Sequence, residues 1–226
     1  MKCLYPIADH PVYRFSMPVI DSSMYLIAAG SSCLIVDPCV SKEAEDLLRE
    51  LGIRESLILL THEHYDHISG VNRLRELLPC RVVCSKRCGE RIKDPRKNTA
   101  AYFAALIAQR LEAEQAVLQE YLDVEYACRA DQTYTGEWNL RWQDLNLFLR
   151  ETPGHSPGSQ IIEVEKHWYF TGDTLIPGLD VITRLPGGSR KDFETVTRPY
   201  LRTIAPGSVL FPGHGAETVL SEGPDT

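Results

Sequence analysis

Three histidines and an aspartate lie within six consecutive positions of the chain, in the stretch T-H-E-H-Y-D-H that ends at His67. Imidazole and carboxylate groups are ligands for zinc, iron or manganese, and imidazole binds a metal in its neutral form, which predominates near pH 7. One histidine in a protein core is usually structural, whereas the spacing H-x-H-x-D-H is typical of a metal site. The candidate ligands here are His62, His64, Asp66 and His67.

Three further residues of the same chemical types lie in short turns rich in glycine and proline. The turns are T-P-G-H-S-P-G around His155, T-G-D-T around Asp173 and P-G-H-G around His214. Each turn follows a predicted strand, and a glycine beside a ligand lets the backbone approach a metal closely. Ligand sites in α/β folds lie at the carboxyl ends of strands, so we expect these side chains to meet those of 62–67.

The elements that must position these residues alternate between strand and helix in the first third of the chain. Strands are predicted over 24–29, 33–36, 57–60 and 81–84, and helices over 43–51, with Ser41 as the N-cap, and 71–78. In the last third, strands are predicted over 139–141, 145–151, 160–165, 167–171 and 208–211, and a helix over 192–203, with Asp192 as its cap. The alternation indicates a layered α/β fold.

The segment 98–123 interrupts this alternation. It is rich in alanine, leucine, glutamine and glutamate, and no glycine or proline occurs from 98 to 134, so the segment is predicted to be helical. Its apolar residues have the spacing of one or two amphipathic helices. Such helices are compatible with a lid, with a surface for homodimer formation, or with simple packing against a sheet, and the sequence leaves these alternatives open.

The overall composition limits the kinds of partner. The 226 residues carry a formal net charge of −7, and nucleic-acid binders need a clustered basic face, so a small-molecule substrate is favoured over nucleic acid. No run approaches 18 apolar residues, so no association with a membrane is expected. Seven cysteines, an odd number in a chain without a predicted secretory segment, favour free thiols and a cytoplasmic location.

Together, the motifs resemble the metallo-β-lactamase superfamily and, among its branches, the glyoxalase II group of thioester hydrolases. The resemblance extends from the first strands to His214, and implies a single domain over 1–226 with an αββα sandwich and a helical insertion at about 95–130. It implies a first metal on His62, His64 and His155, a second on Asp66, His67 and His214, and Asp173 as the bridge between them. Asp37, in the stretch I-V-D-P, matches the family aspartate that orients a metal-binding residue.

The chemistry that the resemblance implies is hydrolysis with two divalent metal ions, zinc first and iron or manganese as alternatives. A hydroxide bridging the metals would attack an ester-like carbonyl, and Asp66 would also orient that hydroxide. A thiol has a pKa of about 8.5, so a thiolate departs without a strong acid, whereas an amide nitrogen needs a proton. Tyr65, Tyr102 and Tyr169 are the candidate proton donors, and none stands out, which favours thioesters, with lactones and other activated esters next.

Two departures from glyoxalase II leave its glutathione substrate open. That enzyme has a C-terminal helical domain with glutathione-binding residues, whereas this chain ends twelve residues after His214, and the helical insertion is not part of the basic pattern. Arg184, in the stretch T-R-L-P-G-G, either lies in a simple turn or helps to bind an anionic substrate.

Other functions on the same scaffold remain as alternatives. Persulfide dioxygenases resemble this pattern but use one iron, at positions that correspond to His62, His155 and Asp173. Flavodiiron oxidoreductases place glutamate where His64 stands. Nucleic-acid processing is disfavoured by the acidic balance, and a binding module without catalysis is disfavoured because every ligand is present.

Overall fold

The computed structural model describes residues 2–3, 6–18, 20–106 and 122–222. These residues form two sheets. The first has the order β1-β2-β3-β4-β5-β6-β7, with β1 Lys2–Cys3, β2 Val12–Met17, β3 Ser22–Ala29, β4 Ser32–Val36, β5 Glu55–Leu59, β6 Cys80–Ser85 and β7 Gln132–Tyr134. The second has the order β13-β12-β11-β10-β9-β8, with β8 Glu137–Trp142, β9 Leu145–Glu151, β10 Gln160–Val164, β11 Trp168–Gly172, β12 Val209–Pro212 and β13 Thr218–Val219.

The helices in the described ranges lie along the outside of the two sheets or in the connections at their edge. They are α1 Lys42–Glu50, α2 Tyr65–Ile68, α3 Val71–Leu77, α4 Lys86–Arg91, α5 Ala100–Leu106 and α6, which runs continuously over 190–201 with a π-helical turn at Phe193–Thr197. None of the helices in these ranges is both long enough and apolar enough to cross a bilayer.

The alternation of side chains along the strands creates three apolar layers. In β5, Leu57 and Leu59 lie in the core between the two sheets, whereas Ile58 lies in the core that the first sheet shares with α1 and α3. On the far side, Tyr169 of β11 packs with Phe193 of α6. The layers are therefore helix, sheet, sheet and helix, and the predicted αββα sandwich is confirmed.

Parallel pairing brings the carboxyl ends of neighbouring strands to one edge of each sheet. Val36 of β4 pairs with Leu59 of β5, and Gly172 of β11 pairs with Pro212 of β12. The residues that directly follow these strands, Asp37 with Leu60 and Asp173 with Gly213, are consequently neighbours in space.

Two predictions differ from the structure. Within the helix predicted over 98–123, the structure has α5 at Ala100–Leu106. Residues 107–121 lie outside the described ranges, and Leu122 and Asp123 are not helical. Asp192 is not the cap of the last helix, because the hydroxyl of Ser189 accepts the N–H of Asp192 and the helix begins at Arg190. The elements that were not predicted from the sequence are β1, β2, β7, β13, α2 and α4.

Candidate metal centre

The edge where the strands end carries all seven predicted ligands. The segment 62–67 follows β5, His155 follows β9, Asp173 follows β11 and His214 follows β12. Six of these side chains are buried or nearly so, and His214 keeps the largest exposed fraction, 24%. Their convergence comes from the sheet topology, since residues more than 150 positions apart reach the same crevice.

The first of two ligand groups contains histidines only. Ligand atoms of His62, His64 and His155 lie within 4.8 Å of one another. Nδ1 of His64 is 2.9 Å from Nε2 of His155. This is the set predicted for the first metal, and its three nitrogens are close enough to share one ion.

The second group combines a carboxylate with two imidazoles. Ligand atoms of Asp66, His67 and His214 also lie within 4.8 Å of one another. Oδ2 of Asp66 is 3.1 Å from Nε2 of His67 and 3.5 Å from Nε2 of His214. This is the set predicted for the second metal.

Asp173 lies between the two groups. Its Oδ2 is 3.5 Å from Nε2 of His155, in the first group, and 3.4 Å from Nε2 of His214, in the second. Its Oδ1 is 3.5 Å from Nε2 of His67. A single carboxylate in contact with both groups has the position that a bridging ligand requires.

Asp37 orients two of the histidines from behind. Its Oδ2 accepts the Nδ1–H of His67 at 3.1 Å and the hydroxyl hydrogen of Thr61 at 2.5 Å. Because the Thr61 hydroxyl has given its hydrogen to Asp37, it accepts the Nδ1–H of His62 at 3.0 Å. Both rings therefore carry a proton on Nδ1 and turn Nε2 toward the site, the arrangement that fixes a metal-binding histidine.

Backbone carbonyls orient two more. Nδ1 of His155 donates to the carbonyl of Ile182 at 2.9 Å, and Nδ1 of His214 donates to the carbonyl of Ile20 at 3.0 Å. Their Nε2 atoms are consequently directed toward the other candidate ligands, as metal binding requires. His64 differs, because its Nδ1 faces His155 and its Nε2 has no hydrogen-bond partner in the described ranges.

The donor set fits a pair of divalent cations. Buried polar atoms normally have partners, yet in the described part of the chain Nε2 of His62, Nε2 of His67 and Oδ1 of Asp173 have no hydrogen-bond partner. Each belongs to a predicted ligand. Nitrogen and oxygen donors of this kind suit zinc, iron and manganese alike, so the residues are compatible with a metal pair without specifying the element.

Electrostatics divides the histidines into two kinds. Burial lowers the pKa of His64 to about 3, and it lowers the pKa of His62 and of His155 below the ordinary histidine value. These three imidazoles are neutral at pH 7, as metal binding requires. For His67 and His214 burial acts in the same direction, but the adjacent carboxylates outweigh it and raise the pKa of both.

The carboxylates respond to the same contacts. Burial raises the pKa of Asp173 and of Asp66, and the charges of His67 and His214 outweigh it, so both pKa values lie below the ordinary aspartate value. Both groups are therefore ionised at neutral pH. A divalent ion that binds here would replace the imidazolium protons of His67 and His214 as the partner of these two carboxylates.

Sequence reasoning missed one buried group in this centre, Glu63. It stands in the H-x-H motif at a position where the residue type carries no ligand role, yet its side chain is completely buried and pairs with Arg91 at 2.5 Å. Of the predicted tyrosines, Tyr65 and Tyr169 are buried and Tyr102 is 45% exposed. Arg184 is exposed, two residues after the carbonyl that holds His155.

The chain is similar to known proteins over most of its length. The chain is 28% identical to the probable metallo-hydrolase YqgX of Bacillus subtilis over 211 residues, which are 91% of this chain and 92% of that one. It is 26% identical to the hydroxyacylglutathione hydrolase GloC of Haemophilus influenzae over 193 residues, which cover 83% and 82% of the two chains.

Solved structures share the fold. The BLEG-1 B3 metallo-beta-lactamase matches with a TM-score of 0.77 at 24% identity, over 93% of this chain and 95% of that one. The TTHA1623 protein in a di-iron-bound form matches with a TM-score of 0.70 at 23% identity, over 92% and 94%. The sequence profile of the metallo-beta-lactamase superfamily matches residues 17–217. The chain therefore belongs to the metallo-beta-lactamase superfamily.

Proposed function

We propose that this chain is a dinuclear metal-dependent hydrolase that cleaves thioesters or related small esters. The observation that carries the proposal is the position of Asp173, whose Oδ2 lies 3.5 Å from His155 of one ligand group and 3.4 Å from His214 of the other. Two groups joined by one carboxylate would hold a pair of divalent ions, as two-metal hydrolases do.

A bound pair of divalent ions supplies a water molecule with a lowered pKa and polarises a carbonyl oxygen. The residues of the chain hold the ligands in place and orient the attacking water. His62, His64 and His155 are neutral before any ligand arrives, and hydrogen bonds at Nδ1 orient the rings of His62 and His155, so little reorganisation is needed. Asp66 is the ionised carboxylate at the second group, and it would accept a hydrogen bond from the attacking water and orient it toward the carbonyl carbon.

Two of the candidate acids in the described part of the chain, Tyr65 and Tyr169, are held in other contacts, which favours a good leaving group. The hydroxyl of Tyr65 accepts the N–H of Asp123 at 3.1 Å, and the ring packs against Phe103. Tyr169 lies in the apolar layer beneath α6. An amine leaving group requires protonation, whereas a thiolate with a pKa of about 8.5 does not. These contacts therefore support thioesters over amides as substrates.

The relatives support the same class of bond. GloC of Haemophilus influenzae is named for hydrolysis of hydroxyacylglutathione, which is a thioester, and it aligns with 83% of this chain. At 26% identity the likeness supports the type of bond and not the thiol that carries the acyl group. We therefore propose a small acyl thioester without specifying glutathione.

The first test is the metal content of protein purified without added metal or chelator, measured by mass spectrometry. The loaded protein is then assayed on acyl thioesters, on lactones and on amides of the same acyl groups. We expect about two ions per chain, turnover of thioesters, and at least about 100-fold lower kcat/KM in Asp173→Asn, since a misplaced reacting group costs that much. Asp144→Asn, a 66% exposed carboxylate beside His10, is the matched control.

Other outcomes separate the alternatives. One iron per chain with oxygen uptake on a persulfide would replace the hydrolase by a dioxygenase-like function on His62, His155 and Asp173. Turnover of lactones alone would retain the dinuclear site and change the substrate. No metal after reconstitution would contradict the proposal.

A further inference from the structure

Glu63 lies between two predicted ligands of the first metal, His62 and His64, and its side chain is completely buried. The position requires no particular residue for metal binding, and a buried carboxylate is unfavourable unless charge and hydrogen bonds compensate it. The partners of this carboxylate therefore indicate why a glutamate occupies the position.

The carboxylate joins two segments that carry the ligands of the first metal. Its Oε1 pairs with Nε of Arg91 at 2.5 Å, and its Oε2 accepts the hydroxyl of Ser156 at 2.8 Å and the N–H of Gly158 at 3.1 Å. Ser156 directly follows His155. One side chain thus connects the loop of His62 and His64 to the loop of His155.

Gly158 is packed closely against this carboxylate and against α4. A Cβ at that position would overlap Oε2 of Glu63 and would lie 2.6 Å from Cα of Cys88, in α4. The hydroxyl of Ser85, the N-cap of α4, donates to the carbonyl of Gly158 at 2.8 Å. The His155 loop is therefore pressed against α4, the helix that supplies Arg91.

Arg91 extends the connection to a third segment. Its Nη2 donates to the carbonyl of Pro186 at 2.8 Å and to that of Lys97 at 3.0 Å. Pro186 belongs to the loop whose Ile182 carbonyl orients the ring of His155. Glu63 and Arg91 consequently fix both the backbone beside His155 and the loop that sets the rotation of its imidazole.

The second ligand group has other supports. Asp37 orients His67, the carbonyl of Ile20 orients His214, and the hydroxyl of Ser22 donates to the carbonyl of Asp66 at 3.3 Å. From this division of contacts we infer that Glu63, acting with Arg91, is a positioning residue that sets the affinity of the first metal site and leaves the second unchanged. The inference rests on the proposed function in requiring that the centre binds metal.

The experiment measures each site alone in the full chain. His214→Ala leaves the histidine group as the competent site, and His64→Ala leaves the group of Asp66, His67 and His214. Zinc affinity is measured by competition with a chromophoric chelator, with and without Glu63→Gln. We expect Glu63→Gln to weaken zinc binding roughly 10- to 100-fold in the His214→Ala protein and by less than about 2-fold in the His64→Ala protein.

Glu45→Gln is the matched control. Glu45 is also a buried glutamate, 7% exposed, that pairs with an arginine, Arg73, at 2.8 Å, but it lies in α1. A general loss of stability would lower the thermal midpoint in both variants, and only Glu63→Gln should change zinc affinity. If Glu63→Gln does not fold, Ser156→Ala takes its place in the experiment. This variant removes one hydrogen bond from the same carboxylate and should weaken zinc binding at the first site alone.

Unchanged zinc affinity of the first site in a folded Glu63→Gln or Ser156→Ala variant would overturn the inference and leave the proposed function intact. Equal weakening of both sites would overturn it as well, since that result indicates a general structural role. A wild-type chain that binds no zinc at either site would contradict the proposed function and this inference together.

Discussion

Oδ2 of Asp37 lies 3.1 Å from Nδ1 of His67, and the same carboxylate accepts both the N–H and the hydroxyl of Thr61. Since that hydroxyl accepts the Nδ1–H of His62, one buried aspartate stands behind a histidine of each ligand group. Its φ of +52° lies in the left-handed region, which aspartate and asparagine tolerate better than most residues. Asp37 thus orients one candidate ligand of each metal site, His67 directly and His62 through Thr61.

Asp37→Ala should weaken both metal sites, by about 10- to 100-fold each, because His62 and His67 lose the partner that fixes their tautomer and ring orientation. Metal content after dialysis against a weak chelator measures the effect. Asp131→Ala is the control, because that carboxylate also accepts a backbone N–H, from Val82 at 2.8 Å, but lies away from the centre. Full retention of both metals in Asp37→Ala would contradict the assigned role.

Gly213→Ala should displace the bridging carboxylate. A Cβ at that position would overlap Oδ1 of Asp173 and would lie 3.0 Å from Cε1 of His67. Because a shift of about 1 Å in a reacting group costs about 100-fold in rate, we expect at least that loss in kcat/KM, together with loss of one metal ion.

The control for Gly213→Ala is Gly207→Ala, which introduces backbone strain without a steric clash. Gly207 has a φ of +86°, and a Cβ added there would meet no atom within 4 Å. Gly207→Ala should therefore destabilise the fold by roughly 1 kcal/mol and keep both metals. If Gly213→Ala binds two metals and turns over normally, Asp173 is not held as the structure indicates.

The ligands could be predicted from the sequence because each sits in a local pattern at the end of a strand. The role of Glu63 could not, since its partners are remote in the chain: Arg91 is 28 positions away and Ser156 is 93. A lone glutamate between two histidines has no periodicity, and only the packed structure brings α4 and the His155 loop to it.

The helical prediction over 98–123 was wrong at its end for a related reason. The backbone N–H of Asp123 is bound by the hydroxyl of Tyr65 at 3.1 Å, and its carboxylate accepts the N–H of Glu125 at 3.1 Å. These two contacts form a turn in place of a helical hydrogen bond. Composition predicts a helix here, and a tertiary contact with α2 overrides it.

Removal of metal should lower both activity and stability. A ligand that binds only the folded chain stabilises it by about 2.7 kcal/mol when its free concentration is 100 times its Kd, which corresponds to roughly 5–10 °C in a domain of this size. Dialysis against a strong chelator should therefore lower the thermal midpoint by that amount and abolish thioester hydrolysis, and zinc, manganese or iron should restore both. An unchanged midpoint with full activity would exclude a metal-dependent mechanism.

The metal-free protein should lose stability as the pH falls from about 6.5 to about 4. Burial lowers the pKa of His64 to about 3 and that of His62 well below its ordinary value, so the folded chain keeps both rings neutral while the unfolded chain protonates them below about 6.5. The unfolded state then binds more protons, and the free energy of unfolding falls with pH. His64 alone accounts for about 2 kcal/mol between pH 6.5 and 5.

The other histidines with raised pKa values do not offset this loss. His67 and His214 are protonated in both states below about 6.5, so their stabilising contribution is fully present there and is lost only as the pH rises through their raised folded pKa values. Urea unfolding of the chelated protein at pH 6.5 and 5 measures the slope. His64→Gln should reduce the difference between the two free energies, whereas His167→Gln, at an exposed position, should leave it unchanged. An equal change in the free energy of unfolding between pH 6.5 and 5 in the unsubstituted chain, His64→Gln and His167→Gln would mean that His64 is not buried as a neutral ring. That result would also remove the basis for a first site that is ready to bind metal at neutral pH.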